Sequence, residues 1–181
     1  MNRIHIDAQK KEFLSSEELT VHLHWDAGLD LDIFAIYEAK DGQRGLVYFA
    51  NSGSLEEFPF IELLFDFEFS EIPVDNQEII AISKMEVDKI WIFGWDFDAV
   101  QEGVNINFQE QKVYLELRAK EQIVQTASAD LGEGNLALMG IFQKGKSKEN
   151  AVSEGFSFTN CSEVRTIELP EQMEDLLKIL V

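Results

Sequence analysis

Short strand-like segments separated by turn residues recur along the whole chain, and they constrain its fold more than any other feature. In Leu19 to Trp25, apolar and polar residues alternate, which is typical of a strand with one buried face. The other strand-like segments are 32–37, 45–50, 78–83, 89–95, 104–108, 112–118, 123–127, 135–139 and 155–158. Strands of this length and spacing predict an all-β fold, either a sandwich or a barrel.

One segment, at the end of the sequence, has the periodicity of a helix instead. Pro170 suits the first helical position, and the acidic residues that follow it are favourable near a helix start. Four apolar residues then share one helical face: Met173, Leu176, Leu177 and Leu180. We predict one helix, at about 170–181, that packs onto the sheets or covers an open edge. A length of 181 residues indicates a single domain, 1–181, that includes this helix.

The composition excludes several classes of protein. The 34 acidic and 15 basic residues give a formal net charge of −19, so we expect neither nucleic acid nor an anionic membrane surface as a partner. The 14 Phe residues and a hydrophobic content of 45% favour a folded core over disorder. A single cysteine cannot form an internal disulfide. We see no signal peptide and no membrane-spanning run, and we predict a cytoplasmic protein.

The most informative polar residues lie between Trp25 and Phe34. Asp30 and Asp32 are two positions apart, so in a strand their side chains lie on the same face. Two such carboxylates repel each other unless a positive charge lies between them, and Ca²⁺, which binds six to eight oxygen atoms, suits that position. More oxygen ligands are available at Asp66, Asp75, Asn76 and Glu78. On spacing alone, a solvated acidic sheet edge is the favoured interpretation of these residues, since Asp and Glu are usually exposed.

The same residues resemble the signature of the TerD-type tellurium-resistance and stress-response proteins. Trp25-Asp26, followed by Asp30-Leu31-Asp32, is similar to the family's Gly-Trp-Asp and Asp-Leu-Asp motifs. Later segments resemble the family as well, at 46–51, 59–61, 66, 75–78 and 90–95. The resemblance covers the chain from about residue 4 to about residue 158.

The resemblance implies a fold and a function. The fold is a two-sheet antiparallel β-sandwich, here with a short C-terminal helix. The function is that of a cytoplasmic stress-response binding module, associated with tellurite tolerance and without enzymatic activity. Calcium is held by acidic loops in such a protein, and the matching positions in this chain are Asp30, Asp32, Asp66, Asn76 and Glu78.

The chain departs from the family just before residue 75. A Gly-rich and Asp-rich loop of the family is replaced here by 64–74, in which Phe65, Phe67 and Phe69 alternate with other residues. Alternating aromatic residues favour a strand or an interaction surface over a tight calcium loop. An alternative function is therefore a metal-free acidic protein-interaction scaffold, which uses this Phe segment to bind a partner protein or a second copy of the chain.

Two further patterns suggest other ligands. Gly140 to Ser147 matches the P-loop pattern of nucleotide-binding proteins, but no helix able to pack on a sheet follows it, so a nucleotide binder is a remote alternative.

His22 and His24 share one face of a predicted strand, a spacing that can hold Zn²⁺ or Ni²⁺. The simpler interpretation, which the sequence favours, is two half-exposed strand residues. We find no catalytic constellation and predict no enzyme.

Overall fold

The computed structural model describes residues 12–14, 18–26, 30–64, 76–120, 122–128, 132–146 and 154–181. Its strands are β1 (Glu12–Leu14), β2 (Leu19–His24), β3 (Leu31–Glu38), β4 (Arg44–Val47), β5 (Gly53–Ser54), β6 (Ile61–Leu64), β7 (Gln77–Ile82), β8 (Lys89–Asp96), β9 (Ile106–Asn107), β10 (Tyr114–Ala119), β11 (Gln122–Ser128), β12 (Glu133–Gly134), β13 (Leu136–Lys146) and β14 (Glu154–Arg165). Its helices are α1 (Phe97–Glu102) and α2 (Leu176–Leu180).

Two six-stranded sheets make up the molecule. The first has the order β1-β14-β13-β8-β3-β4, and the second has the order β11-β10-β2-β7-β6-β5. Neighbouring strands in both sheets are antiparallel. The small strands β9 and β12 pair separately. The predicted antiparallel β-sandwich is thus confirmed.

The main core fills the space between the sheets, as the alternation of the strands predicts. From β2, Val21 and Leu23 are fully buried there, and from β3, Ile33 is only 1% exposed. Each such side chain contributes about 1.5–3 kcal/mol when it is removed from water. Their neighbours in sequence point to the outer faces of the sheets, so the polar residues of β2 and β3 lie outside this core.

A second apolar cluster covers the outer face of the first sheet. Phe34 and Trp95 contribute to it from β3 and β8, while Leu176 and Leu180 contribute from α2. The C-terminal helix therefore packs onto the sheet, as predicted. It starts later than predicted, however: a 3₁₀ turn at Met173–Asp175 precedes α2, so Pro170 does not occupy the first helical position. Among the described residues, no helix has the length and hydropathy needed to cross a lipid bilayer.

The prediction of a single helix was wrong, because α1 is a second one. Asp96 caps its start, since its Oδ1 atom accepts a hydrogen bond from the Ala99 N–H at 2.8 Å. Gly103 follows its end with a φ of 66°, the left-handed conformation that glycine adopts without strain. A helix of six residues is too short to show a helical period. The predicted strand at 104–108 is also shorter, at Ile106–Asn107.

Candidate functional site

The predicted acidic residues lie where β3 begins. Asp30 is exposed and immediately precedes β3. Asp32 is half-buried and is the second residue of β3. Asp32 lies directly opposite Trp95 of β8. Since Phe34 and Trp95 both belong to the outer apolar cluster, the side chain of Asp32 lies at the margin of that cluster.

Glu78 approaches the start of β3 from the other sheet. It alternates along β7 with Ile80 and Ile82, which are buried in the main core, so its side chain points into the space between the sheets. Its Oε2 atom accepts a hydrogen bond of 2.6 Å from the backbone N–H of Ile33. Pairing of β3 with β4 starts only at Ala35, so Ile33 lies at an open edge. The carboxylate of Glu78 thus connects the two sheets.

Two further acidic residues complete this cluster. Asp96 ends β8 and Asp98 lies in the first turn of α1, and the charges of both act on Asp32. Sequence reasoning missed them, although Asp96-Phe97-Asp98 repeats the spacing of Asp30-Leu31-Asp32 at the end of the strand that pairs with β3. We call the set of Asp30, Asp32, Glu78, Asp96 and Asp98 the acidic rim.

Two carboxyl groups of the acidic rim, those of Asp32 and Glu78, have pKa values well above their ordinary range. Burial raises the pKa of Asp32 to about 6, and the charges of Asp30, Asp96 and Asp98 act in the same direction. Burial also raises the pKa of Glu78 to about 8, although the hydrogen bond from Ile33 opposes the rise. Among the described residues, every charge that acts on these two carboxyl groups is acidic. The fully ionised rim is therefore under-compensated, and either protons or a cation would stabilise it.

The rim supplies side-chain atoms of the kind that metal ions bind. Its ligand atoms are all oxygen, which suits a hard cation such as Ca²⁺ better than a softer metal. In the part of the chain that the structure describes, no three His, Cys, Asp or Glu side chains converge to hold an ion. The residues therefore fit Ca²⁺ in chemistry and charge, and a complete site needs additional oxygen atoms.

The two remaining predicted ligands differ in what the structure says of them. Asn76 lies two residues before Glu78, and its backbone carbonyl accepts a hydrogen bond of 3.2 Å from the Trp25 N–H. This bond ties the start of β7 to the end of β2, close to the rim. Asp66 lies outside the described residues, as do Phe65, Phe67 and Phe69 of the alternative interaction surface, so both predictions stay predictions.

Aromatic side chains border the rim. The ring of Phe97, between Asp96 and Asp98, is 5.4 Å from the ring of Trp95 and 5.4 Å from that of Phe49, measured between centroids. Phe49 is 42% exposed. An exposed aromatic ring next to carboxylates offers both apolar contact and charge to a binding partner.

The P-loop pattern falls in a strand. Gly140 to Lys146 belong to β13, which pairs with β8 on one side and with β14 on the other. A phosphate cradle requires a loop whose backbone N–H groups are free to face the ligand. These residues instead take part in sheet ladders, so the remote nucleotide-binding alternative has no structural basis in them.

Comparisons with protein-family models, with curated proteins and with solved structures give no match for this chain.

Proposed function

We propose that this protein is a calcium-binding β-sandwich module and that its acidic rim is the binding site. The observation that carries the proposal is that Asp32 and Glu78, from opposite sheets, lie close enough for the charge of Asp32 to act on Glu78, and that burial and acidic neighbours raise the pKa of both. A cluster of this kind, surrounded only by further carboxylates among the described residues, gains stability when a cation neutralises it.

In this proposal the ion draws together Asp30, Asp32 and Glu78, whose side chains do not converge without it, and the predicted ligands Asp66 and Asn76 complete the site. When bound, Ca²⁺ supplies the positive charge that the rim lacks. The chain itself supplies the coupling, because Glu78 belongs to the second sheet and its Oε2 atom accepts a hydrogen bond from the Ile33 N–H of the first. A cation that neutralises the ionised Glu78 would therefore strengthen the contact between the sheets at this end of the sandwich.

We place this module in a cytoplasmic stress response, in keeping with the resemblance of 25–32 to the TerD-type signature. In this role it acts by binding rather than by catalysis. The exposed ring of Phe49, next to Phe97 at the rim, is a surface at which a partner protein would detect the loaded state. Tellurite tolerance is the corresponding phenotype to test in cells.

The experiment that tests the proposal is thermal unfolding of metal-stripped protein with and without Ca²⁺, with Mg²⁺ for comparison. A ligand at about 100 times its dissociation constant adds about 2.7 kcal/mol, which is about 5–10 °C for a chain of this size. We expect a rise of this order with Ca²⁺, and a smaller one with Mg²⁺. Asp30→Asn combined with Asp32→Asn should abolish the rise, and Asp66→Asn should reduce it.

A matched control is available at the opposite end of the sandwich. Glu56 and Glu57 are exposed and lie near Ser83, whose N–H bonds to the carbonyl of Phe60, far along β7 from Glu78. Glu56→Gln with Glu57→Gln also removes two negative charges and should leave the rise in melting temperature with Ca²⁺ unchanged. The proposal is contradicted if Ca²⁺ does not raise the melting temperature of the wild type. It is also contradicted if the rise is unchanged in the Asp30→Asn and Asp32→Asn double variant.

A further inference from the structure

A second group of potential ligands lies on the outer face of the second sheet, away from the acidic rim. His22 and His24 of β2 alternate with Val21 and Leu23, which are buried in the main core. Both imidazoles therefore point to the outer face. In β10, the register places Glu116 opposite His22 and Tyr114 opposite His24.

His22 is unusually enclosed for a residue on an outer face, since only 6% of it is exposed. Its Nε2 atom lies 2.9 Å from the hydroxyl oxygen of Thr20, which fixes the orientation of the ring. Its Nδ1 atom has no hydrogen-bond partner among the described residues. Buried ring nitrogens are normally bonded, and a histidine held through one nitrogen with the other available is the usual arrangement of a metal ligand.

The separation of the two rings fits a shared ion. The centroids of His22 and His24 are 6.0 Å apart. With a metal–nitrogen distance of about 2.0–2.1 Å, an ion lies about 3.2 Å from the centre of each ring, so two imidazoles can share it at up to about 6.4 Å. The ring planes are within 9° of parallel, so one ring must turn to aim its nitrogen at the ion. His24 is half-exposed, but its ring stacks on that of Tyr114 with 4.6 Å between centroids, so the ion must compete with this contact.

We propose that His22 and His24 form a two-imidazole site for a borderline divalent transition-metal ion, of which Zn²⁺ and Ni²⁺ are representative. Imidazole nitrogen prefers these ions to Ca²⁺ or Mg²⁺, so the site is chemically distinct from the oxygen-only rim. No third His, Cys, Asp or Glu side chain among the described residues converges with the pair. Water molecules fill the remaining coordination positions, and another ligand can replace them.

Glu116 and Arg118 form an ion pair beside His22. Glu116 is only 8% exposed, and its Oε1 atom accepts a hydrogen bond of 2.5 Å from Nε of Arg118. The positive charge of Arg118 acts on His22 more strongly than the charge of Glu116 does, so the ion pair adds no net attraction for a cation. The affinity of the site must therefore come from the two imidazoles.

The test is calorimetric titration of the full chain with Zn²⁺ and with Ni²⁺ in the presence of excess Ca²⁺, which occupies the oxygen ligands of the rim. We expect one ion per chain, and an affinity at least tenfold weaker in His22→Gln and in His24→Gln. The remaining histidine of the sequence, His5, provides the matched control, and His5→Gln should bind as the wild type does.

Because His22 is buried, His22→Gln is informative only if it folds, so a second measurement uses the unmodified protein. Ring ¹⁵N resonances of both His22 and His24 should shift on addition of Zn²⁺ and return on addition of EDTA. Unshifted rings, wild-type affinity in His24→Gln, loss of binding in His5→Gln, or no binding by the wild type would each overturn the proposal. Failure of the calcium test leaves this site unaffected, since the two sites share no residue.

Discussion

Glu78 couples the ionisation of one side chain to the cohesion of the whole sandwich. Its carboxylate belongs to β7 and bonds to the backbone of β3, yet burial raises its pKa to about 8. At neutral pH without a cation, the folded protein therefore retains a proton that the unfolded chain, with an ordinary pKa near 4.5, has already released. The stability of the sandwich should therefore depend on pH through this residue.

The sign of that dependence follows from proton binding. Between pH 4.5 and about 8, the folded state binds more protons at Glu78 than the unfolded state does, so the free energy of unfolding falls as pH rises. Glu78→Gln keeps an oxygen that can accept the Ile33 N–H and has no charge. We expect this variant to be close to wild type near pH 5 and more stable than wild type near pH 8.

Urea unfolding of both proteins across that pH range, in EDTA, measures the difference. Asp32 contributes in the same direction at lower pH, because its pKa is raised from 3.8 to about 6, and it is common to both proteins. A wild-type minus Glu78→Gln difference that is constant with pH would show that Glu78 ionises normally in the fold.

At the level of secondary structure, the residue that caps α1, Asp96, is also part of the acidic rim. Asp96 bonds to the Ala99 N–H as the N-cap, and its charge also acts on Asp32. Asn is as good an N-cap as Asp, whereas Ala removes the cap at a cost of about 1 kcal/mol. The two roles can therefore be separated by substitution.

We expect Asp96→Asn to retain the stability of the metal-free wild type or to exceed it, because it keeps the cap and removes a repelling charge. Asp96→Ala should lose about 0.5–2 kcal/mol by chemical unfolding. Both should show a weaker calcium response than the wild type, since both reduce the negative charge of the rim. Equal stabilities for the two variants would mean that the cap contributes nothing measurable.

The elements also show what the sequence could predict. The segments with clear alternation, such as β2 and β10, were placed within about two residues, because a buried face imposes its period on the chain. The helix α1 was missed because its signals, Asp96 before it and Gly103 after it, lie at its ends and not in a repeat. Pro170 misled for a related reason: it fits a helix start, but the apolar contacts of Leu176 and Leu180 determine where the helix packs.

The candidate site divides in the same way. The two-residue period of a strand was enough to predict that the side chains of Asp30 and Asp32 lie on the same face. The approach of Glu78 depends on how two sheets stack, which no local pattern encodes, and that residue was selected through the family resemblance. Asp96 and Asp98 join the rim through the pairing of β8 with β3. That pairing brings together residues more than sixty positions apart, and only the folded topology reveals it.

For the molecule as a whole, the formal net charge of −19 makes repulsion a general property of the folded state. The acidic rim is a place where that repulsion is concentrated and partly shielded from solvent. Dissolved salt screens exposed charges over a Debye length of about 10 Å at 0.1 M, and it screens partly buried charges much less. Salt and Ca²⁺ should therefore stabilise the protein by separate routes.

We expect NaCl, raised from about 0.02 M to about 0.5 M without Ca²⁺, to increase the melting temperature of the wild type through the exposed charges. Asp30→Asn with Asp32→Asn should melt higher than wild type at low salt, because it relieves the rim. Glu56→Gln with Glu57→Gln, with the same net charge, should gain less. Equal melting temperatures for the two double variants would assign the repulsion to net charge alone, whereas a higher value for the rim variant locates it at the junction of β3 and β7.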